Sequence, residues 1–250
     1  MENKLVHYLL GIADNNLILG QRLGELCGHG PTLETDIALT NISLDLLGQV
    51  RSYYQYAATL LGDGATEDTL AFLRNERQYR NALLCEQANI NFAFTIGRQF
   101  LFDQYHLLFL QMLTNSTDAQ LKAIALKSVK EVKYHVRFSG DWFLRLGDGT
   151  EESKQKMQEA IDALYVFTDE LFEMDEDELA MCNAGVAVDV RNVKNEYFNT
   201  INHEIRKAGL IVPDVTYFQR GGKEGRHSEQ MGYLLAEMQF MQRTYPNMTW

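Results

Sequence analysis

The three prolines of this 250-residue chain are Pro31, Pro213 and Pro246, so none falls between Thr32 and Val212. A proline inside a helix costs about 3 kcal/mol, and long helices exclude it. A β-rich chain would need more turn punctuation than this stretch provides. The reading is therefore an all-α chain built on helices well beyond the usual length of about 11–12 residues.

Apolar periodicity places those helices. Leu5, Leu9, Ile12, Ala13, Leu17 and Leu23 recur near a 3.6-residue period, predicting a first helix over about 5–27 that Gly28-His29-Gly30-Pro31 ends. Ala38, Ile42, Leu46, Val50, Tyr54 and Ala57 predict a second over about 33–61, stopped by Gly62-Asp63-Gly64. Further helices are predicted over about 68–84, 91–113, 118–146, 153–172, 190–208 and 227–243. Short connections make neighbours antiparallel. Residues 181–189 and 211–226 read as loops, the second with Pro213, Gly221, Gly222 and Gly225. No repeat or linker divides the chain, so one domain over 1–250 is expected.

Composition removes several classes of function. The hydrophobic share is 46% and the charged share 23%, as in globular proteins. A formal net charge of -11 opposes nucleic acid as a general partner and, more weakly, anionic membranes. No uncharged apolar run approaches the ~20 residues of a membrane span. The N-terminus does not have the shape of a signal peptide. Cys27, Cys85 and Cys182 are widely spaced, with no CxxC pair. They read as reduced thiols in a cytoplasmic protein.

Long antiparallel helices raise the question of a di-iron carboxylate site. Such a site takes a Glu from each of two helices and a Glu-x-x-His from each of two others, because residues i and i+3 share a face. Fragments of that pattern are present. Asp103 and His106 stand at i, i+3, and Glu131 and His135 at i, i+4. In the second helix Asp45 is followed at i+3 by Gly48 where a His is needed. The first helix offers Asp14, Gln21 and Glu25 with no single choice. A complete ligand set cannot be assembled, and buried polar residues are more often paired with each other than bound to metal. Elsewhere, Arg220, Lys223 and Arg226 flank the glycines that lead into the last helix. Backbone N–H groups there could hold a phosphate, or the segment is a structural loop with solvated charges. Residues 169–178 hold seven acidic side chains and read as a solvated face or a docking surface for a basic partner.

Five strings carry a resemblance: Gly24-Glu25-Leu26-Cys27-Gly28-His29; Asn41 through Arg51; Asp68-Thr69-Leu70-Ala71-Phe72; Glu131 through Ser139; and Gly221-Gly222-Lys223 through His227. In order, and over essentially the whole chain to Trp250, they resemble the PaaC family, structural subunits of multicomponent phenylacetyl-CoA 1,2-epoxidases. The resemblance implies a ferritin-like long-helix bundle with flanking helices. It also implies a cytoplasmic monooxygenase complex of phenylacetate catabolism. A PaaA-like partner would carry the di-iron centre and bind phenylacetyl-CoA. A reductase would supply electrons from NADPH through flavin and an iron–sulfur cluster, and other epoxidase subunits would complete the assembly. This chain would hold no cofactor and no catalytic residue. Asp45, Asp103, His106, Glu131 and His135 would be a vestigial site, with Lys130, Lys133, Arg51 or Arg98 neutralising its carboxylates. Arg220, Lys223 and Arg226 would lie at a CoA-phosphate contact or an interface. A homodimer in the partner's absence, and an active di-iron oxygenase in its own right, remain open alternatives.

Overall fold

A computed structural model describes residues 2–246 and 248; Trp250, part of the resemblance, lies outside them. The chain falls into two compact units, one of Met1–Ala88 with Gly221–Trp250 and one of Asn89–Arg220. Among the described residues there is no strand, and eleven α-helices are joined by short 3-10 turns. The expected class, all-α and ferritin-like, is the one observed. None of the helices is long and apolar enough to cross a membrane, among the described residues.

The first unit is built on α1 (Glu2–Gly24) and α2 (Leu33–Leu61). Thr32 caps α2 by accepting from Thr35 N–H, and Gly62 ends it. The two helices run antiparallel, since Asn16 meets Gln49, Gly20 meets Ser43 and Asp14 meets Tyr54. Leu9, Leu17, Ile42, Leu46 and Tyr53 fill the seam between them.

Where one helix was expected over 68–84, the chain forms α3 (Glu67–Phe72), a 3-10 turn (Glu76–Gln78) and α4 (Leu83–Glu86). Arg74 is the physical reason. Its Nε donates to Leu70 C=O at 2.6 Å and its Nη1 to Gln78 C=O at 3.0 Å. That buried guanidinium organises the segment in place of a continuing helical ladder. Two C-terminal helices, α10 (Glu229–Met238) and α11 (Phe240–Thr244), complete the unit. They break at Gln239, whose side-chain amide donates to Arg74 C=O and to the Tyr79 hydroxyl.

The second unit is built on α5 (Phe92–Leu113) and α6 (Ala119–Gly147), with Asn91 and Asp118 as N-caps. These too are antiparallel: Phe100 stacks on Phe143 with centroids 4.2 Å apart, and Ser139 bonds Asp103. Helix α5 is apolar nearly all round and is buried accordingly. Helix α6 is amphipathic. Its inner face holds Leu121, Ile124, Ser128, Val132, His135, Ser139 and Phe143.

Three shorter helices follow: α7 (Glu151–Leu164), α8 (Glu176–Asn183) and α9 (Lys194–Lys207). Helix α7 is shorter than expected because 3-10 turns take over at Tyr165. Helix α8 occupies the start of a segment read as loop. Its N-cap Asp175 and N3 Glu178 form a reciprocal capping box that initiates the helix.

Candidate functional site

Two buried polar clusters occupy the helix pairs, one in each unit. In the first unit Asp14 is fully buried. It accepts from the Tyr54 hydroxyl, from both terminal nitrogens of Arg74 and from Arg80 N–H at 2.8 Å. The guanidinium lies over the Tyr79 ring, 4.2 Å from its centroid. Desolvation pushes the Tyr79 hydroxyl up to about 12, and burial beside the Asp14 carboxylate raises Tyr54 as well. Both phenols therefore stay protonated, as donors.

A second buried carboxylate, Glu86, lies nearby in sequence order. It accepts from His227 Nδ1 at 2.8 Å, from Ser228 N–H at 2.6 Å and from Asn81 Nδ2 at 3.0 Å. Burial works against the imidazolium of His227, but the hydrogen bond and charge of Glu86 prevail and raise its pKa. The loop carrying Lys223 and Arg226 presses close to this place. A Cβ on Gly222 would sit 2.3 Å from Asn81 O. Gly225 takes a left-handed φ of 81° against Arg77 O. Arg226 is exposed and paired with Glu224, and Lys223 is half-buried. Arg220 belongs to the other unit, where it pairs with Asp169 and Glu173.

Those pairs correct the reading of the acidic run as a solvated face at its start, while Asp175 and Glu176 are exposed. Asp169 and Glu170 are buried, and Asp169 is bound by both Lys194 and Arg220. Glu178 is spent on capping α8.

In the second unit α5 and α6 bring together Asp103, His106 and His135, all buried. Asp103 Oδ1 accepts from Gln99 Nε2 at 2.7 Å, and Oδ2 from Ser139 Oγ at 2.8 Å. Burial pushes Asp103 up to about 6, against the opposing influence of His135 and the two hydrogen bonds. Among the described residues, neither ring nitrogen of His106 has a hydrogen-bond partner. Burial first, and then the charge of His135, bring His106 down to about 3. His106 is thus a neutral imidazole packed against the Phe102 ring.

The other three expected positions sit differently. Glu131 is half-buried on the flank of α6 and faces Lys127 at 3.8 Å. Asp45 is half-buried in the first unit, and Gly48 is exposed. Of the cations expected to neutralise carboxylates, Lys130 and Lys133 are exposed. Arg51 pairs with Glu67, and Arg98 donates to Asn89. Asp103 is held by neutral donors.

A di-iron centre needs several carboxylates and imidazoles turned to one point. Among the described residues no three His, Cys, Asp or Glu side chains converge in that way. The one carboxylate of the α5–α6 cluster already has both oxygens engaged. The donor set does not fit the metal pair.

Sequence reading missed Arg74, Glu86 and His227. None stands on a periodic helix face: Arg74 and Glu86 lie in the broken segment and His227 in a loop. The signal present was weak: Arg74 directly follows the apolar run Leu70-Ala71-Phe72-Leu73, and Glu86 directly follows Ala82-Leu83-Leu84-Cys85.

Fold and clusters define a long-helix, ferritin-like protein whose interior carries hydrogen-bonded polar clusters. A family model described as "Phenylacetic acid catabolic protein", PaaA_PaaC, matches residues 1–250, and the chain belongs to that family. It is 50% identical over 248 residues to a subunit of the 1,2-phenylacetyl-CoA epoxidase of Escherichia coli (strain K12), covering 99% of this chain and 100% of that protein.

Proposed function

We propose that this chain is the structural, non-catalytic subunit of a multicomponent phenylacetyl-CoA 1,2-epoxidase in aerobic phenylacetate catabolism. Its direct partner is a PaaA-like subunit that holds the di-iron centre. The likeness to an epoxidase subunit over the full length of both chains supports membership of the complex. The observation that carries the structural role is the state of Asp103. Its carboxylate is occupied by Gln99 and Ser139, and Glu131 is turned to the flank of the same helix pair. Asp103 is thereby engaged within the helix pair. The chemistry then belongs to the partner subunit, fed with electrons by a separate reductase.

Co-expression with a PaaA-like subunit tests the proposal. The expected result is a stable complex in which phenylacetyl-CoA epoxidation needs both chains, while this chain alone binds no stoichiometric iron. Stoichiometric iron in this chain alone, with epoxidation in the absence of the PaaA-like subunit, would overturn it. The orphaned ring of His106 gives that alternative its one supporting observation.

A further inference from the structure

Helix α6 has an outer face unlike the rest of the chain. It carries Lys122, Lys127, Lys130, Lys133, Arg137 and Arg145, six of the 23 basic residues, against two acidic ones, Glu131 and Asp141. All six cations are exposed. At 100° per residue they fall within an arc of about 140°, along roughly 35 Å of helix. The chain as a whole has a net charge of -11. Among the described residues, only Lys127 of the six is ion-paired, with Glu131. Arg137 lies over the Tyr134 ring and Arg145 over Trp142. Tyr134 and Leu126 stand exposed within the same stripe, at 38% and 52%.

A helix face that serves only solubility on an acidic protein has no reason to collect unpaired cations around an exposed leucine and tyrosine. We propose that the outer face of α6 is a docking surface for an acidic face on another chain of the epoxidase complex. This rests on the proposed function above. Complementary charge steers encounter and fixes register, while apolar and aromatic side chains at the centre supply contact area. The composition favours protein over nucleic acid. Asp141 sits inside the stripe, where phosphates would be repelled, and Leu126 offers nothing to a sugar–phosphate backbone.

The test uses the complex co-expressed with its partner subunits. A triple variant, Lys130→Glu, Lys133→Glu and Arg137→Glu, is compared with the wild type. The matched control is Lys154→Glu with Lys156→Glu, both exposed on α7. Circular dichroism melting confirms that each variant folds. Association of the triple variant is expected to weaken on the order of 10- to 100-fold at low salt. The gap should shrink as salt rises, because screening removes the wild-type advantage. The control, and the variant with Lys130→Arg and Lys133→Arg, should associate as the wild type does. If the triple variant co-purifies and turns over as the wild type does, the docking proposal falls while the subunit reading stands. If the wild-type chain does not co-purify at all, it is the subunit reading that falls. Wild-type binding to duplex RNA or anionic vesicles, abolished by the triple variant while co-purification is untouched, would also overturn the docking proposal.

Discussion

The two units bury charge in opposite ways. Around Asp14 every polar atom finds a complement: a guanidinium, a phenol and a backbone N–H, with a tyrosine ring beneath the cation. Asp103 accepts from an amide and a hydroxyl rather than a guanidinium, with His135 close by, and among the described residues the adjacent His106 ring makes no hydrogen bond. The first cluster gives the solution that a buried ion pair requires, with good geometry and satisfied lone pairs. The second shifts its protonation equilibria instead, carboxyl up and imidazole down. The same helical frame therefore tolerates an expensive interior in two ways. Only the first makes the cluster a structural clamp.

The clamp should be the more fragile to mutation. Asp14→Ala leaves Arg74 buried without its counter-charge, and equilibrium urea unfolding should show a loss of about 3–5 kcal/mol. The double variant Asp14→Ala with Arg74→Met should cost less than the sum of the singles, because the orphaned cation is removed. A loss below about 1 kcal/mol for Asp14→Ala would mean that water already shares the site, and the contrast between the units would collapse.

The Glu86–His227 pair extends the clamp and adds a pH dependence. His227→Ala strips Glu86 of a donor and should cost about 2–3 kcal/mol. The folded state holds the His227 proton more tightly than the unfolded state does. Its contribution is therefore complete below the unfolded value near 6.5 and is lost as pH rises through the raised folded value. Wild-type stability measured from pH 6 upward should decline by a step that His227→Gln lacks.

These clusters also show what was legible in the sequence. Helices α2, α5 and α6 could be read to within a residue, and α1 to within three at each end, because an absent proline and a regular apolar period are local signals. Asp103, His106 and His135 could be picked out by spacing, since i, i+3 and i, i+4 fix a common helix face. Their state could not be read. Whether Asp103 faces Arg98 or Gln99 depends on a rotation of one residue, which spacing does not resolve. The clamp was invisible for a different reason. Asp14 and Arg74 lie 60 residues apart, and Arg74 stands where helical periodicity fails because Arg74 itself breaks it. The same holds for Asp169, whose neutralising partners Lys194 and Arg220 come from later segments.

On the other side of the comparison, Asp103→Asn should stabilise the protein at pH 7, by about 1–3 kcal/mol, as expected for a pKa raised by some two units. The amide keeps a partner in Ser139, whose hydroxyl can rotate to accept. The pH profile separates this from a packing effect. Asp103 binds its proton more tightly folded than unfolded, so its contribution is present below about 4 and is lost as pH rises through about 6. Asp103→Asn should remove that decline, and an unchanged profile would show Asp103 already ionised and satisfied.

The smallest effect tests the comparison most sharply. His106→Leu replaces a ring that makes no hydrogen bond among the described residues with an apolar side chain packed against Phe102. Removing a buried polar group that has no partner relieves a desolvation cost and loses little, so stability at pH 7 should change by less than about 1 kcal/mol, towards greater stability. His106 binds a proton less tightly folded than unfolded, so its contribution is complete above about 6.5 and is lost as pH falls towards 3. His106→Leu should therefore unfold at lower pH than the wild type in an acid titration. A cost of several kcal/mol at pH 7 would mean that the ring holds an ordered water or ligand. In that case the α5–α6 cluster is as complete as the clamp around Asp14, its complement lying outside the chain.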